Sequence, residues 1–284
     1  MTNLIYPCLW FDGQSKAAAE LYCSIFTDSK ITDETPMVVN FELAGQKFMG
    51  LNGGPQFKIN PSVSFFVVCE TEGEADAAWQ KLADGGAVMM PLGKYDWSPK
   101  YGWVQDRFGV SWQISLGKSE DTGQKFSPSL LFAGEQSGKA EAAVNFYTSV
   151  FKPSSVKGIL RYQAGHNETE GTVKHAQFSI NGYTMMAMDS STAHQFSFNE
   201  AVSFVIECET QDQIDHYWDK LTEGGKESMC GWLQDRFGVR WQVVPAVLGE
   251  LMRDPVRSQR VVKAFMQMKK FDIDQLKSAW ADLS

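Results

Sequence analysis

The sequence predicts an α+β fold built from two copies of one domain and closed by a helical tail. Three observations predict it. The string Gly102-Trp103-Val104-Gln105-Asp106-Arg107-Phe108-Gly109-Val110-Ser111-Trp112-Gln113-Ile114 returns as Gly231-Trp232-Leu233-Gln234-Asp235-Arg236-Phe237-Gly238-Val239-Arg240-Trp241-Gln242-Val243, with ten of thirteen positions identical. Apolar strand-like runs and amphipathic helical runs alternate in the same order on both sides of a polar segment. The chain has 284 residues, 43% of them hydrophobic and 21% charged, which is globular composition with length for two cores.

Each element follows from local pattern. Leu4 to Phe11 is apolar and strand-like, and Ser15 to Phe26 places Ala18, Leu21, Tyr22, Ile25 and Phe26 at helical spacing. Val38 to Leu43 and Lys47 to Leu51 flank Ala44-Gly45-Gln46 as a hairpin. Val63 to Cys69 is a strand feeding a helix from Glu72 to Ala83, which Gly85-Gly86 terminates. Trp103 to Asp106 and Val110 to Leu116 form a last hairpin, turning at Arg107-Phe108-Gly109. Further pairs recur in the same order: Tyr22/Phe26 with Tyr147/Phe151, Cys69-Glu70-Thr71 with Cys208-Glu209-Thr210, and Trp79-Gly85-Gly86 with Trp218-Gly224-Gly225. Each copy thus reads as two βαβββ units.

The polar, glycine-bearing stretch Gly117 to Lys125 is linker chemistry. The expected organisation is a domain over 1–118, a linker over 119–125, a second domain over 126–246 and a helical tail over 247–284. In the tail, Asp254-Pro255 is a helix start. Val261, Val262, Phe265 and Met266 make one apolar stripe, and Ile273, Leu276 and Trp280 another. The copies differ in length at two places, which are expected to be loops. The first copy carries ten extra residues before Gly102, including Tyr95, Trp97 and Tyr101, and the second twelve extra before Phe178, including His166.

Composition excludes several functions. A net charge of −8 and a pI near 5.1 repel a phosphate backbone, so no nucleic-acid partner is expected. Five cysteines without C-x-x-C spacing argue against a disulfide framework and a structural zinc site. No apolar run approaches the ~20 residues of a membrane span. The stretch from Met1 to Pro7 lacks the basic region of a secretory leader, so a cytoplasmic location is expected.

The βαβββ units, with Phe11-Asp12-Gly13, helices holding Leu21-Tyr22 and Phe146-Tyr147, and Asp-Arg-Phe-Gly-Val-x-Trp-Gln in both copies, resemble the vicinal oxygen chelate superfamily. More closely they are similar to its PhnB-like branch, often labelled 3-demethylubiquinone-9 3-methyltransferase domains. The resemblance covers both copies. It implies tandem glyoxalase-like domains, each of two βαβββ units forming a curved mixed sheet around a cavity, so that each copy would have its own sheet. Members include glyoxalases, extradiol dioxygenases, fosfomycin-inactivating transferases and bleomycin-binding proteins, so the fold alone does not choose a chemistry.

Strand alternation locates a cavity wall. Val110, Trp112 and Ile114 share one face of the last strand, and Ser111 and Gln113 the other. In the second copy Arg240 and Gln242 oppose Trp241. The resemblance implies that Gln113 and Gln242 stand where the superfamily's metal enzymes carry a glutamate, and that Ser64 and Ser203, or their apolar neighbours, stand where a histidine would open the second unit. Trp103 with Gln105, and Trp232 with Gln234, are expected beside them, with Tyr95 and Trp97 closing over the first cavity and Gln177 in the second copy. All four histidines lie in the second copy, so no cofactor is expected. A divalent metal held by His175, Asp189 and Gln242 is the alternative. Asp106-Arg107 and Asp235-Arg236 are expected to stabilise turns. A Gly-rich strand-turn-helix for S-adenosylmethionine is absent from the sequence, so the methyltransferase label gains no support from the residues.

The expected function is a small-molecule binding protein, or a metal-independent enzyme of the glyoxalase/bleomycin resistance type, taking an apolar or aromatic ligand. The alternatives are a metal-dependent lyase, isomerase or dioxygenase working in the second domain only, and a structural protein whose copies merely pair. Monomer and homodimer both remain open.

Overall fold

The computed structural model describes residues 5–281. Met1 to Leu4 lie outside the described residues, and with them the start of the expected first strand and part of the segment read for a leader; so do Asp282 to Ser284.

Four βαβββ units follow one another. The first holds β1 (Ile5–Phe11), α1 (Ser15–Ile25), β2 (Lys30–Glu34), β3 (Val38–Leu43) and β4 (Gln46–Asn52). The second holds β5 (Val63–Cys69), α2 (Glu72–Ala83), β6 (Ala87–Tyr95), β7 (Ser98–Gln105) and β8 (Ser111–Leu116). After the short α3 (Ser119–Thr122), the third holds β9 (Phe126–Phe132), α4 (Ala140–Val150), β10 (Ser154–Arg161), β11 (Val173–Ile180) and β12 (Tyr183–Asp189). The fourth holds β13 (Val202–Cys208), α5 (Gln211–Thr222), β14 (Lys226–Glu227), β15 (Trp232–Gln234) and β16 (Arg240–Pro245), and α6 (Leu248–Leu251), α7 (Arg257–Phe265) and α8 (Ile273–Ala281) form the tail.

The strands make two mixed eight-stranded sheets, each of two βαβββ units, as the duplication predicts. The units that share a sheet, however, come from different copies and not, as expected, from one. One sheet runs β10-β11-β12-β9-β5-β8-β7-β6, joining the second unit of the first copy to the first unit of the second; the other runs β14-β15-β16-β13-β1-β4-β3-β2. The chain divides into two compact bodies, Cys8–Val202 and the described residues of Met1–Pro7 with Ser203–Ser284.

Within Cys8–Val202, β9 and β5 pair antiparallel at the middle of the sheet, with Ser64 opposite Ser129 and Phe66 opposite Ser127. Parallel partners flank them, β8 on β5 and β12 on β9. The core lies on the Trp112 side of β8, where the indole sits 5.0 Å from the Tyr22 ring, 5.9 Å from Phe26 and 5.4 Å from Phe65. Each such side chain, fully buried, contributes roughly 1.5–3 kcal/mol, and edge contacts add about 0.5–1.5 kcal/mol per pair.

The repeated motifs are devices of this fold. In Cys-Glu-Thr, the Thr71 hydroxyl accepts the Glu74 amide at 3.2 Å while the Glu74 carboxylate accepts the Glu70 amide at 2.8 Å. Thr210 and Gln213 repeat this reciprocal cap on α5. Glycine is required at the end of α2, because a Cβ on Gly86 would stand 2.4 Å from the Gln105 carbonyl oxygen. In Asp-Arg-Phe-Gly-Val-x-Trp, the buried Asp106 carboxylate accepts the amides of Phe108 (2.8 Å) and Val110 (3.0 Å), the Trp112 indole (2.8 Å) and the Tyr22 hydroxyl (2.8 Å). Asp235 accepts from Phe237, Val239 and Trp241 in the same way. Both aspartates organise turns, as expected.

Two further expectations are corrected. The ten extra residues of the first copy do not form a loop; they lengthen β6 and β7 into a hairpin that turns at Asp96-Trp97. Pro91 and Gly93 disguise that strand, which tolerates them at a sheet edge through register shifts around Met90 and Gly93. In the tail, α7 and α8 fall where expected, with Asp254 accepting the Val256 and Arg257 amides. The additional α6 precedes them, and Met266 of the predicted apolar stripe stands 53% exposed.

Candidate functional site

Alternation along β8 puts Ser111, Gln113 and Ser115 on the face away from the Trp112 core. The register carries that face across the sheet: Tyr101, Trp103 and Gln105 of β7 stand opposite Ser115, Gln113 and Ser111. Phe66 and Val68 of β5 pair with Gln113 and Ser115, and Gln177 of β11 pairs with Met186 of β12. A cavity of about 200 Å³ opens on this face. Its apolar wall includes Phe66, Val68 and Met186, and its polar groups include Ser115, His175 and Gln177.

Two further elements line the cavity. The tip of the β6–β7 hairpin brings Trp97 over it, stacked on Tyr95 at 4.9 Å and set edge-on to Tyr101 at 6.0 Å. The linker is the second, since Lys118, Asp121 and Thr122 line the cavity. It is tied to the strands below by Gln177 Nε2 donating to the Asp121 carbonyl at 3.0 Å and by Thr184 Oγ1 donating to the Thr122 carbonyl at 2.7 Å. A segment expected only to connect two domains is therefore a wall of the site.

Next to the cavity, Gln113 is 3% exposed and both ends of its amide are engaged. Tyr101 donates its hydroxyl to Oε1 at 2.8 Å, and Nε2 donates to Ser64 Oγ at 2.7 Å. Burial raises the Tyr101 pKa, so the phenol remains a donor at neutral pH. Trp103 Nε1 donates to Ser111 Oγ at 2.7 Å, while Gln105 Nε2 bonds the Gly109 carbonyl at 2.9 Å and so belongs to the turn. Ser127, opposite Phe66 on β9, has a buried hydroxyl without a hydrogen-bond partner. Burial lowers the His175 pKa, leaving a neutral imidazole near neutral pH.

Of the residues singled out from sequence, Trp97 and Gln177 meet at this cavity, and His175 with them. Tyr95 supports Trp97 from behind, its hydroxyl donating to the Pro91 carbonyl at 2.9 Å. Ser111, Gln113 and Trp103 share the same strand face as the wall but are occupied with one another and with Tyr101 and Ser64. In the second body, Trp232 stands opposite Gln242 and Gln234 opposite Arg240. Gln242 Nε2 donates to Ser203 Oγ at 3.0 Å, repeating the amide–hydroxyl pair of the first copy. Sequence reasoning missed the linker residues and Met186.

Of the trio His175, Asp189 and Gln242, the first two are not brought together. Asp189 lies on the opposite sheet face from His175, because Ala176 pairs with Ala187 and Gln177 with Met186. Its carboxylate accepts the Ala140 amide at 3.1 Å and the Val173 amide at 2.9 Å, so it caps α4 and the start of β11. Asn52 is its counterpart in the first copy, accepting the Ser15 amide at the start of α1 at 3.0 Å. Gln242 belongs to the other sheet. Among the described residues, no group of three or more His, Cys, Asp or Glu is placed to hold a metal ion. At the positions to which the resemblance assigned a metal ligand, the hydroxyl of Ser64 and the amide of Gln113 bond each other, a neutral donor set that does not fit a divalent cation.

The eight-stranded sheets of βαβββ units define a protein of glyoxalase-like fold. Glyoxalase I from Zea mays is similar over 87% of this chain and 94% of its own, at 12% identity and a TM-score of 0.56, a likeness of fold. The family model described as 3-demethylubiquinone-9 3-methyltransferase matches residues 3–115 and again 124–244, and the chain belongs to that family. The PhnB protein from Bacillus cereus is 38% identical over 39% of this chain and 96% of its own, with a TM-score of 0.36. A Pseudomonas aeruginosa protein is 24% identical over 39% of this chain and 95% of its own, with a TM-score of 0.35. None of the curated proteins compared matches this chain. Among the described residues, no helix is long and apolar enough to cross a membrane.

Proposed function

We propose that the chain binds a small apolar or aromatic molecule with a polar tip, without a metal, in the cavity between Trp97, the linker and β11–β12. The observation that carries this reading is the composition of that cavity. Phe66, Val68, Met186 and the Trp97 indole give it apolar surface, and Ser115, Lys118, Asp121, Thr122, His175 and Gln177 give it polar groups. A concave site that combines apolar and aromatic surface with placed polar groups is the usual form of a ligand site. At about 200 Å³ the space is below the ~300–1,000 Å³ typical of drug-sized ligands, which points to a compact one.

The neutral His175 imidazole can accept a proton or a hydrogen bond from such a ligand. That supports a binding protein and is compatible with a metal-independent enzyme whose base is His175. The methyltransferase description belongs to the family model; no residue of the cavity supports a methyl-transfer chemistry.

The test is a thermal-shift screen of quinones, aromatic antibiotics and aldehyde adducts against the full chain and against Trp97→Ala. Stabilisation by at least one compound, lost in Trp97→Ala, is expected. A screen in which nothing stabilises the fold, or in which hits ignore Trp97→Ala, counts against the reading.

A further inference from the structure

A second cleft, of about 310 Å³, lies where β1 ends and the Arg107 turn begins, and none of the chemistry above uses it. Four aromatic rings and three charged side chains line it: Trp10, Phe11, Phe57 and Phe108, with Asp12, Lys58 and Arg107. The rings are held in place before any ligand arrives. Trp10 Nε1 donates to the Gly54 carbonyl at 2.7 Å, and its indole meets Phe57 edge-on at 5.1 Å. A Cβ on Gly53 would stand 2.2 Å from the indole, so glycine is what lets the loop close against Trp10. Asn199 anchors the same loop by donating to the Lys58 carbonyl at 3.0 Å.

The charges are loosely committed. Arg107 lies over the Phe108 ring at 5.3 Å and reaches Asp84 only at 3.6 Å, with its side chain 44% exposed. Lys58 makes no ion pair among the described residues. Two cations and one carboxylate leave the cleft with a net charge of one positive. By contrast, Arg236 in the second copy is fastened to Glu223 through a 3.0 Å bond to its carbonyl. The rest of the cleft is also particular to the first copy. With Phe11 and Gly13 aligned on Phe132 and Gly134, Trp10 and Asp12 correspond to Leu131 and Ala133. The strand therefore accepts leucine where the first copy has tryptophan, and packing alone does not call for an indole.

We infer that this cleft is a second binding site, for a flat aromatic monoanion whose ring lies against Trp10 and Phe57 and whose carboxylate sits between Lys58 and Arg107. Aromatic walls supply the area, and a guanidinium supplies a forked partner for a planar anion. The inference stands apart from the proposed function and survives its failure.

Isothermal titration of the full chain with 2-naphthoate tests it, using 2-naphthamide as the neutral counterpart. Saturable binding is expected, at least tenfold weaker for the amide and for Arg107→Gln and Trp10→Leu, and within twofold of the wild type in Trp97→Ala. Asp12→Ala is expected to tighten binding severalfold. Arg107→Gln changes an exposed side chain, so it decides the matter even if Trp10→Leu folds poorly. The inference is overturned if 2-naphthoate does not bind at millimolar concentration, if Arg107→Gln binds as the wild type does, or if Trp97→Ala abolishes binding.

Discussion

Gln113→Glu places a carboxylate at a position to which the resemblance assigned a metal ligand, and the structure says what it should do. The wild-type amide is 3% exposed and holds two bonds, to Tyr101 at 2.8 Å and Ser64 at 2.7 Å. A glutamate keeps the Tyr101 bond. The Ser64 hydroxyl must turn from acceptor to donor. Two donors to an ion return about 1.5–3 kcal/mol each, against an effective burial penalty of several kcal/mol for the carboxylate. The expected net loss is about 1–3 kcal/mol at pH 8. At about 2–4 °C per kcal/mol for a protein of this size, that lowers the Tm by roughly 2–12 °C.

The sign with pH follows from linkage. The new carboxylate is harder to ionise folded than unfolded, so the deficit is full at alkaline pH and shrinks as pH falls toward the ordinary glutamate value of about 4.3. The assay is thermal unfolding of wild type and variant across that range, with and without millimolar Zn²⁺ or Ni²⁺. Because a bound ion stabilises by about 2.7 kcal/mol at a hundredfold excess over its Kd, even modest affinity would be visible. No metal-dependent rise is expected, since Gln113→Glu gains no second charged or imidazole ligand beside it. A rise of several degrees in the variant alone would refute the argument that the surrounding donors do not fit a metal.

Other expectations follow from the same geometry. Asp106→Ala strands two backbone amides, an indole N–H and a phenol in the core, and is expected to cost about 3–5 kcal/mol; urea unfolding reads it as a lower midpoint at unchanged slope, and a loss under about 1 kcal/mol would contradict the role given to this turn. Trp97→Ala removes a side chain that is 60% exposed, so stability should move by no more than about 0.5 kcal/mol in the same unfolding assay while ligand affinity falls. The pKa of His175 is depressed by burial, so its folded state resists protonation. Stability is present above the unfolded histidine value of about 6.5 and declines as pH drops below it. Melting curves of His175→Gln should lose that part of the decline, and an unchanged pH profile would show that the imidazole is freely solvated.

How much of this was legible in the sequence depends on the range of each interaction. Alternation in Val110 to Leu116 separated the Trp112 core from the Gln113 face because a strand's period is set within one element. The Asp106 turn was readable for the same reason, and its partner Tyr22 was singled out as a helix residue without the bond between them. Which βαβββ units share a sheet was not readable, since pairing β5 with β9 depends on strands from different copies. The grouping of His175 with Asp189 failed on this ground: faces of separate strands cannot be phased without their register. The correspondence of Asp189 with Asn52, visible in the repeat, would have marked it as a helix cap. Pro91 and Gly93 hid the β6 strand, and polarity hid the linker's place over the cavity.

The central claim is a metal-free ligand site between Trp97, the linker and β11–β12. A crystal structure with the best thermal-shift hit, grown with chelator present, tests it most directly. The account predicts ligand density against Phe66 and Met186 under the Trp97 indole, with a polar atom within hydrogen-bonding reach of His175 or Gln177. Density confined to another surface, or a ligand held in this cavity only when a divalent ion is supplied, would contradict it.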